Sequence, residues 1–400
     1  MEAVEKKVSR VCVVSPLYHP TLGGLGKQAQ LLTERLAREG VKVFVIARRM
    51  KGMPPAVFSP GVKVFRAWST KPYHHTFENI SVANIVVSLT FSVSCAFLLV
   101  RHARKYDIAH YHSAGLPLFI TLPLLKLMGK KVVAKVAAAK VGTEAGAMKG
   151  RYFGLGTLIA KMLRTVDAYV ATTAEIEEGL MGEGIQKERI NRITNFVDFS
   201  LFSPPKADTV KKALRRSLCC EDAPTVLFTG RFIPRKGIGV LLEAWEKVVV
   251  EVPGAKLLML GDGMLLPEMK EKAESLAIAD SAQFLGHVDN VADFLRTADI
   301  YVFPSLQEGM PNALLEAMAC GLPAIASRIG GVVDVIRDGE NGLLVTPADA
   351  SGLAEALVRL LRDGAFRRDI GTRAYETIRH FYTLDAVVPA YTGLYRRLSG

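Results

Sequence analysis

The sequence predicts an α/β protein of two domains, each built on a doubly wound parallel sheet. Its 400 residues exceed what one hydrophobic core normally supports, so two domains are expected. In both halves, short apolar runs alternate with helical patterns, as they do where crossover helices join parallel strands. Half of the residues are hydrophobic and 22% are charged, which indicates a globular rather than a disordered chain.

The first half opens with an apolar run over residues 8–15, which predicts a buried strand. An amphipathic helix is expected over residues 26–39, and Gly40 ends it. The apolar runs that follow predict further strands at residues 41–47, 107–111, 131–136 and 168–172.

The same rhythm restarts after a proline pair, Pro204-Pro205, which indicates a domain boundary near residue 200. Strands are predicted in the second half at residues 225–230, 255–261, 283–284, 300–303 and 324–327. A last helical pattern covers residues 385–398. We therefore predict domains over residues 1–200 and 201–384, followed by a helix within residues 385–400.

The basic excess of the chain lies in its first half. The net charge is +12, and residues 1–200 carry 28 Lys and Arg against 14 Asp and Glu, whereas residues 201–400 carry 23 against 25. This asymmetry indicates that only the first domain faces an anionic surface. No nucleic-acid recognition motif accompanies the charge, so an anionic membrane leaflet or a phospholipid-linked acceptor fits better than nucleic acid.

The five cysteines have no metal-ligand spacing and form no C-x2-C pair. Cys12 and Cys320 lie in apolar runs, which predicts reduced, buried thiols of a cytosolic protein. The N-terminal segment, residues 1–7, contains acidic residues and leads directly into the first strand, so it lacks the pattern of a signal peptide.

Residues 80–100 form an uncharged stretch that is followed by the basic residues Arg101, Arg104 and Lys105. The stretch is long enough to span a bilayer, but its Ser, Thr and Asn residues lower its hydrophobicity, and spanning would remove a strand–helix unit from the first domain. Two other interpretations are favoured and stay open. One is a core helix whose apolar outer face lies on a membrane surface, and the other is a fully buried helix.

The most informative stretch for function begins where the apolar run over residues 299–304 ends. Gly309 and Pro311 predict that a helix opens there, and the unpaired N–H groups of its first turn attract phosphate. Glu308 stands just before this helix, and Glu316 is expected about two turns into it. Two carboxylates would repel a ligand made of phosphate alone, but they suit one that carries both phosphates and hydroxyl-rich rings. A nucleotide sugar has that layout.

The segment from Glu308 to Glu316 resembles the E-x7-E signature of the retaining glycosyltransferases of family GT4. The resemblance continues in order through residues 321–327, Gly330-Gly331 and residues 338–345, and it covers nearly the whole chain. It implies the GT-B fold, in which two Rossmann-like domains face a cleft and the helix of residues 385–400 returns to the first domain.

A second motif, Gly230 to Gly237, joins a predicted strand to a predicted helix and carries Arg and Lys five residues apart. Both cations of such a turn can bind one diphosphate. In the GT4 pattern the matching residues grip the donor phosphates, which implies this role for Arg231 and Lys236. Arg235 is expected to lie in solvent.

Three glycine-containing loops complete the implied donor site. Alone, the loop of residues 22–26 would be a weak phosphate-binding signal, and the resemblance assigns Gly23 and Gly24 to the donor diphosphate. It also implies that the loops at Gly263 and Val288 hold the ribose and the base. His287 is expected at the rim.

The resemblance further implies that Glu316 binds ribose hydroxyls and that Glu308 acts at the donor sugar. Sugar and phosphate oxygens are then held by the backbone N–H groups of Met310, Asn312 and Ala313. The acceptor hydroxyl attacks on the face that the leaving group occupies, so no strong protein base is required. The Arg–Lys clamp replaces a divalent metal ion, and no cofactor is expected.

The chain departs from the family at the first domain. Many relatives carry a histidine just after the strand predicted at 131–136, but residues 135–142 contain none. His112 and Lys140 are the acceptor-side candidates, and a structural role for His112 is an equal alternative. The acceptor chemistry therefore stays open.

These observations predict a retaining, metal-independent glycosyltransferase of cell-surface polysaccharide or glycolipid synthesis. Its donor is a nucleotide-diphosphate sugar, with UDP favoured over GDP, and its acceptor is a lipid-linked or other saccharide. The expected location is the cytoplasm, with peripheral contact at the inner membrane face. Two alternatives are kept: a sugar-nucleotide epimerase of the same fold, and a non-catalytic protein that binds a sugar nucleotide.

Overall fold

The computed structural model describes residues 9–20, 24–50, 52–70, 82–136, 161–217 and 223–400. Within the chain, two compact units form. The first comprises Met1–Asn195 and Val387–Gly400, and the second comprises Phe196–Ala386. The C-terminal segment thus returns to the first unit, as the GT-B fold requires.

The first unit contains an eight-stranded sheet in the order β3-β4-β2-β1-β5-β6-β7-β8. All neighbouring strands are parallel except β3 and β4, which pair antiparallel at one edge. The strand order reverses direction between β1 and β5, and ligands of open α/β sheets bind beyond the carboxyl ends of the strands at such a point. The strands are β1 Arg10–Ser15, β2 Lys42–Arg48, β3 Ala56–Ser59, β4 Val62–Ala67, β5 Ile108–Tyr111, β6 Lys131–Val136, β7 Ala168–Ala171 and β8 Ile190–Arg192.

The second unit contains a six-stranded, fully parallel sheet in the order β11-β10-β9-β12-β13-β14. Helices cover both faces of this sheet, so its strands other than β11 are almost continuously apolar, and their alternate residues join two separate core clusters. The strands are β9 Thr225–Thr229, β10 Lys256–Leu260, β11 Ala282–Gly286, β12 Ile300–Phe303, β13 Ala324–Ser327 and β14 Leu343–Val345.

The described helices connect these strands and cover the sheets. In the first unit they are α1 Gly24–Arg38, α2 Val82–Arg101, α3 Leu116–Leu127 and α4 Ala174–Gly182. In the second unit they are α5 Asp208–Ser217, α6 Ile238–Glu251, α7 Leu266–Ser275, α8 Val291–Thr297, α9 Asn312–Ala319, α10 Gly330–Val333, α11 Ala350–Arg362 and α12 Gly364–Phe381. The last helix, α13 Leu384–Ser399, begins in the second unit and ends in the first.

Helix α2 has two apolar faces. Its inner face places Val87, Phe91, Cys95 and Leu99 in the core, where each is at most 6% exposed. Its outer face is also apolar but lies in solvent. We call this outer face the α2 stripe: Val86, Leu89, Val93, Phe97 and Val100, which are 41–65% exposed.

The prediction of a fully buried helix at residues 80–100 is therefore wrong, because the α2 stripe is exposed. Residues three or four apart line one side of a helix, and in α2 both the inner row and the outer row are apolar. By length and composition alone, α2 is also long and apolar enough to cross a membrane. The structure instead uses its inner face in the core of the first unit.

The cysteines Cys12, Cys95 and Cys320 are free and buried, as predicted for the first and third of them. Burial raises the pKa of the Cys95 thiol to about 12 and that of the Cys320 thiol to about 12. These thiols therefore stay protonated and contribute as small apolar side chains.

Candidate active site

The donor-side turn begins at the carboxyl end of β9. After Arg231, the chain makes a short 3-10 turn over Pro234–Lys236 and enters α6. The turn packs tightly against the end of β12. Gly237 has φ +66°, and a Cβ there would lie 2.0 Å from the carbonyl oxygen of Pro304, so only glycine fits.

This packing brings the two sequence motifs together. The Nζ atom of Lys236 lies 2.7 Å from Oε1 of Glu308, and the two side chains are only 11% and 12% exposed. The ammonium also lies over the ring of Phe303, 5.0 Å from its centroid. Burial lowers the pKa of Lys236, while the neighbouring Glu308 carboxylate acts in the opposite direction. Lys236 is thus a desolvated cation whose charge is balanced by one carboxylate.

Arg235 is the second cation on the same carboxylate. Its Nη1 atom lies 2.7 Å from Oε1 of Glu308 and donates to the Gln307 carbonyl oxygen at 3.3 Å. The backbones of the two segments are also hydrogen-bonded, because the Leu306 N–H donates to the Arg235 carbonyl oxygen at 2.7 Å. Arg235 was predicted to lie in solvent, and its side chain is 37% exposed, but the prediction missed that its guanidinium also pairs with Glu308. Arg231, by contrast, is exposed.

Helix α9 begins four residues after Glu308, with Pro311 at its N-cap and no side chain capping it. The N–H groups of Leu314 and Leu315 already donate to the Pro311 carbonyl oxygen, at 3.1 and 3.2 Å. The N–H groups that precede them belong to Asn312 and Ala313, which are positioned as the sequence predicts for a helix start.

Glu316 is the fifth residue of α9, so it lies just over one turn into the helix rather than the predicted two. The helix starts at Asn312 rather than at Gly309, which accounts for the difference. Glu316 and Glu308 both lie near Tyr301, whose pKa is raised mainly by burial and further by these two carboxylates. Both carboxylates therefore act on the same buried tyrosine of β12.

One further loop of the second unit approaches this turn with its backbone. A Cβ on Gly263 would lie 2.5 Å from the carbonyl oxygen of Phe232, so glycine is required for the close approach. The Phe232 N–H donates to the Asp262 carbonyl oxygen at 2.9 Å and fixes the loop. Val288 follows β11, is half-buried and packs against the core. His287 is exposed, as predicted for a rim residue.

In the first unit, Gly24 starts α1 and is exposed. Its neighbour Gly23 and the acceptor-side candidate Lys140 lie outside the described residues. The other acceptor-side candidate, His112, is fully buried just after β5, and its backbone N–H donates to the Val14 carbonyl oxygen at 3.0 Å. Burial lowers the pKa of His112, so the imidazole is neutral near pH 7.

The sequence motifs did not predict the contacts of two charged residues, Arg235 and Lys135. The ion pair of Arg235 with Glu308 could not be predicted, because the direction of the Arg235 side chain depends on the 3-10 turn. Lys135 was hidden because it stands inside an apolar run, although a lysine in a predicted central strand was itself a usable signal. Among the described residues, no group of three or more His, Cys, Asp or Glu side chains has the geometry of a metal site.

Two Rossmann-like units, together with a Lys–Glu pair beside an exposed Arg and a helix start, define a glycosyltransferase of the GT-B architecture. Comparison with known sequences identifies the family. Residues 23–195 match the family described as "Glycosyl transferase 4-like domain", and residues 223–363 match "Glycosyl transferases group 1". The chain belongs to this GT4-type family of glycosyltransferases.

Curated relatives extend over nearly the full length of the chain. The D-inositol 3-phosphate glycosyltransferase of Geodermatophilus obscurus is 31% identical over 98% of this chain and 90% of its own length. The N-acetyl-alpha-D-glucosaminyl L-malate synthase of Bacillus anthracis is 28% identical over 94% of each chain. Among solved structures, sucrose-phosphate synthase from Thermosynechococcus elongatus superposes with a TM-score of 0.81 at 24% identity and covers 98% of this chain and 99% of its own. This last similarity concerns the fold.

Proposed function

We propose that this glycosyltransferase transfers a sugar from a nucleoside diphosphate sugar to an acceptor hydroxyl with retention of anomeric configuration and without a metal ion. The observation that carries the proposal is the buried Lys236–Glu308 pair, 2.7 Å long, at the carboxyl ends of β9 and β12. It provides a cation for the leaving diphosphate next to a carboxylate for the donor sugar. UDP is favoured as the nucleotide, and GDP is the second choice.

In the proposed reaction, the bond between the anomeric carbon and the diphosphate oxygen breaks while the acceptor oxygen bonds to the same carbon on the same face. The acceptor proton passes to the departing phosphate oxygen, so atoms and charge balance without a protein base. Arg231 and Lys236 stabilise the negative charge that develops on the diphosphate. Glu308 stabilises the positive charge that develops on the sugar ring and is a catalytic residue in this scheme.

The remaining donor contacts follow from the same site. Glu316 accepts hydrogen bonds from the ribose hydroxyls, and the loops at Gly263 and Val288 border the nucleoside. Sugar and phosphate oxygens accept from the N–H groups at the start of α9, those of Met310, Asn312 and Ala313. Gly23 and Gly24 are proposed to approach the diphosphate from the first unit.

For the acceptor, we propose a hydroxyl compound of polysaccharide or glycolipid synthesis. The names of two relatives, which specify inositol 3-phosphate and L-malate, support small polyhydroxy or hydroxy-acid acceptors. The exposed α2 stripe beside Arg101, Arg104 and Lys105 supports a lipid-linked acceptor reached by peripheral contact with an anionic leaflet. His112 and Lys140 stay acceptor-side candidates.

Incubation with the donor alone separates this function from the two alternatives. A transferase releases nucleotide slowly by hydrolysis and faster once an acceptor is added, whereas an epimerase converts the donor into its isomer with no acceptor present. A non-catalytic binding protein does neither. Accumulation of an isomeric nucleotide sugar, followed by chromatography, would contradict the proposal.

A further inference from the structure

Lys135 places its amino group deep in the first unit, where no carboxylate among the described residues pairs with it. It is the penultimate residue of β6 and is 1% exposed. Within the described ranges, no salt bridge involves it, and its one recorded hydrogen bond runs from Nζ to Oδ1 of Asn195 at 2.8 Å. A buried charge without a counter-charge destabilises a fold, so packing alone does not account for a lysine here.

His112 lies beside Lys135 and has unused hydrogen-bonding capacity. The register of β5 and β6 pairs Tyr111 with Ala134, and one further step places His112 next to Lys135. Both ring nitrogens of His112 are buried and lack a hydrogen-bond partner among the described residues. Buried polar atoms are nearly always paired in proteins, so two orphaned nitrogens on one ring point to a missing partner.

The same surroundings contain two more orphaned polar atoms. The ring of His110 lies 4.6 Å from that of His112, and its Nδ1 is hydrogen-bonded to the Tyr395 hydroxyl at 2.7 Å. The Nε2 atom of His110 and the hydroxyl of Tyr391 are buried without a partner among the described residues. We call His110, His112, Lys135 and Tyr391 the β5–β6 polar cluster. It contains an amino group, a hydroxyl and two imidazoles, each with one donor and one acceptor nitrogen when neutral, but no carboxylate.

The cluster also lies where ligands of this architecture bind. β5 is the strand next to β1 at which the sheet order reverses, and both His112 and Lys135 are at carboxyl ends of strands. A sugar hydroxyl hydrogen-bonds to an imidazole but leaves a protonated Lys135 without a counter-charge, and a cation is repelled by it. An oxyanion satisfies both the ammonium and the imidazole N–H.

We propose that Lys135 and His112 form an oxyanion-binding site that takes the phosphate or carboxylate group of the acceptor. The ammonium supplies the counter-charge and the imidazole donates one hydrogen bond. The assignment of the ligand to the acceptor rests on the proposed function, whereas oxyanion binding itself does not. The acceptor class is thereby narrowed to compounds that carry an anionic group as well as the receiving hydroxyl.

The test measures the affinity for inorganic phosphate and for acetate by thermal unfolding, in a background that combines Arg231→Ala with Lys236→Ala and so removes both proposed donor-side cations. In that background we expect saturable stabilisation, because an anion that binds only the folded state raises Tm. Adding Lys135→Met should weaken the apparent affinity about tenfold or more. Adding Lys42→Met, an exposed lysine at the amino end of β2, should leave it unchanged.

The two anions distinguish the two kinds of acceptor. Stronger stabilisation by phosphate indicates a phosphorylated acceptor, and stronger stabilisation by acetate indicates an acceptor with a carboxylate. Lys135→Met replaces a buried amino group that has no carboxylate partner among the described residues, and it should unfold no earlier than its parent. If that variant does not fold, His112→Leu decides, and the same weakening is expected. Unchanged anion affinity in the folded variant, or no stabilisation by either anion in the parent, would overturn the site.

Transfer assays test the assignment of the anion to the acceptor independently of the proposed function. In an active enzyme, Lys135→Met should raise the KM for the acceptor and leave the KM for the donor unchanged. A protein that binds phosphate at Lys135 but transfers no sugar would contradict the proposed function alone. A protein that transfers sugar with an unaltered acceptor KM in Lys135→Met would contradict the assignment of the anion to the acceptor.

Discussion

At the scale of single residues, the charge arrangement around Glu308 governs the predicted chemistry. One carboxylate oxygen holds both Lys236 and Arg235 at 2.7 Å. A diphosphate that reaches Lys236 competes with Glu308 for the ammonium, and Arg235 then keeps the carboxylate paired. The site can thus receive an anion without leaving Glu308 as an uncompensated charge.

The cations should be required for turnover. Arg231→Ala or Lys236→Ala each removes a positive charge from the leaving diphosphate, at a cost of about 2–4 kcal/mol, or roughly 30- to 1000-fold in kcat/KM. Steady-state kinetics measures the loss. Lys212→Ala, an exposed lysine of α5, is the matched control and should behave as wild type. Near-normal turnover in both site variants would contradict the proposed donor site.

The two glutamates should affect different kinetic constants. Glu316→Ala removes ribose contacts that exist before the reaction, so the donor Kd should rise by roughly tenfold. Glu308→Gln acts where charge develops in the transition state, so kcat should fall while the donor Kd changes little. Donor titrations paired with kcat measurements distinguish the two, and the reverse pattern would show that the roles are exchanged.

Lys135 should make stability depend on pH. Burial lowers its pKa from 10.5 to about 7, so between these values the unfolded chain binds a proton that the folded chain does not. The contribution of Lys135 to the free energy of unfolding therefore rises with pH from 7 upward, by at most about 1.4 kcal/mol per pH unit. His110 and His112 stay neutral in this window, because burial also lowers their pKa values.

Denaturant unfolding at pH 7 and pH 9 measures this effect. The rise in unfolding free energy between the two values should be smaller in Lys135→Met than in wild type and unchanged in the control Lys42→Met. Staying at or below pH 9 avoids the titration of tyrosines in the unfolded chain. An equal rise in Lys135→Met and wild type would mean that Lys135 keeps its ordinary pKa.

At the scale of elements, uninterrupted apolar runs predicted strands most reliably. The strands predicted at residues 131–136, 300–303 and 324–327 have those bounds in the structure, because each is buried on both faces. β4 was not predicted, because charged residues interrupt its apolar pattern. β8 and β14 were also missed, because three residues are too short for a period to show.

More of the proposed donor site than of the proposed acceptor site could be predicted from the sequence. Glu308 and Lys236 belong to motifs in which fixed spacing determines the chemistry. The pairing of Arg235 with Glu308 depends instead on a 3-10 turn, and the polar cluster of His112 and Lys135 depends on strand register. Neither is a property of local sequence spacing.

The α2 stripe should bind membranes. Val93 and Phe97 are its most exposed members, at 65% and 64%, so Val93→Ser with Phe97→Ser should weaken sedimentation with anionic vesicles without lowering Tm. Neutralising Arg101, Arg104 and Lys105 should weaken it too, by about 1 kcal/mol per residue, and added salt should do the same. Val250→Ser is the control, because Val250 is an apolar residue of the second unit that is even more exposed, at 76%. A wild-type protein that stays in the supernatant with anionic vesicles at low salt would refute membrane contact.

At the scale of the whole molecule, length, the alternation of strands and helices and the charge asymmetry predicted two α/β units of different character. The basic excess belongs to residues 1–200, and that part of the chain also contains the α2 stripe and the β5–β6 polar cluster. The nearly neutral second half contains the proposed donor residues. The proposed function thus assigns the two substrates to different units, and the further inference assigns an anionic acceptor to the basic unit.

The measurement that tests the central claim most directly is calorimetric titration of UDP and GDP into the protein in the presence of EDTA. The proposed donor site predicts saturable binding of a nucleoside diphosphate without metal, and its loss by at least about 100-fold when Arg231→Ala and Lys236→Ala are combined. Lys212→Ala should bind as wild type does. Binding that requires a divalent cation, or binding that survives removal of both cations, would contradict the account.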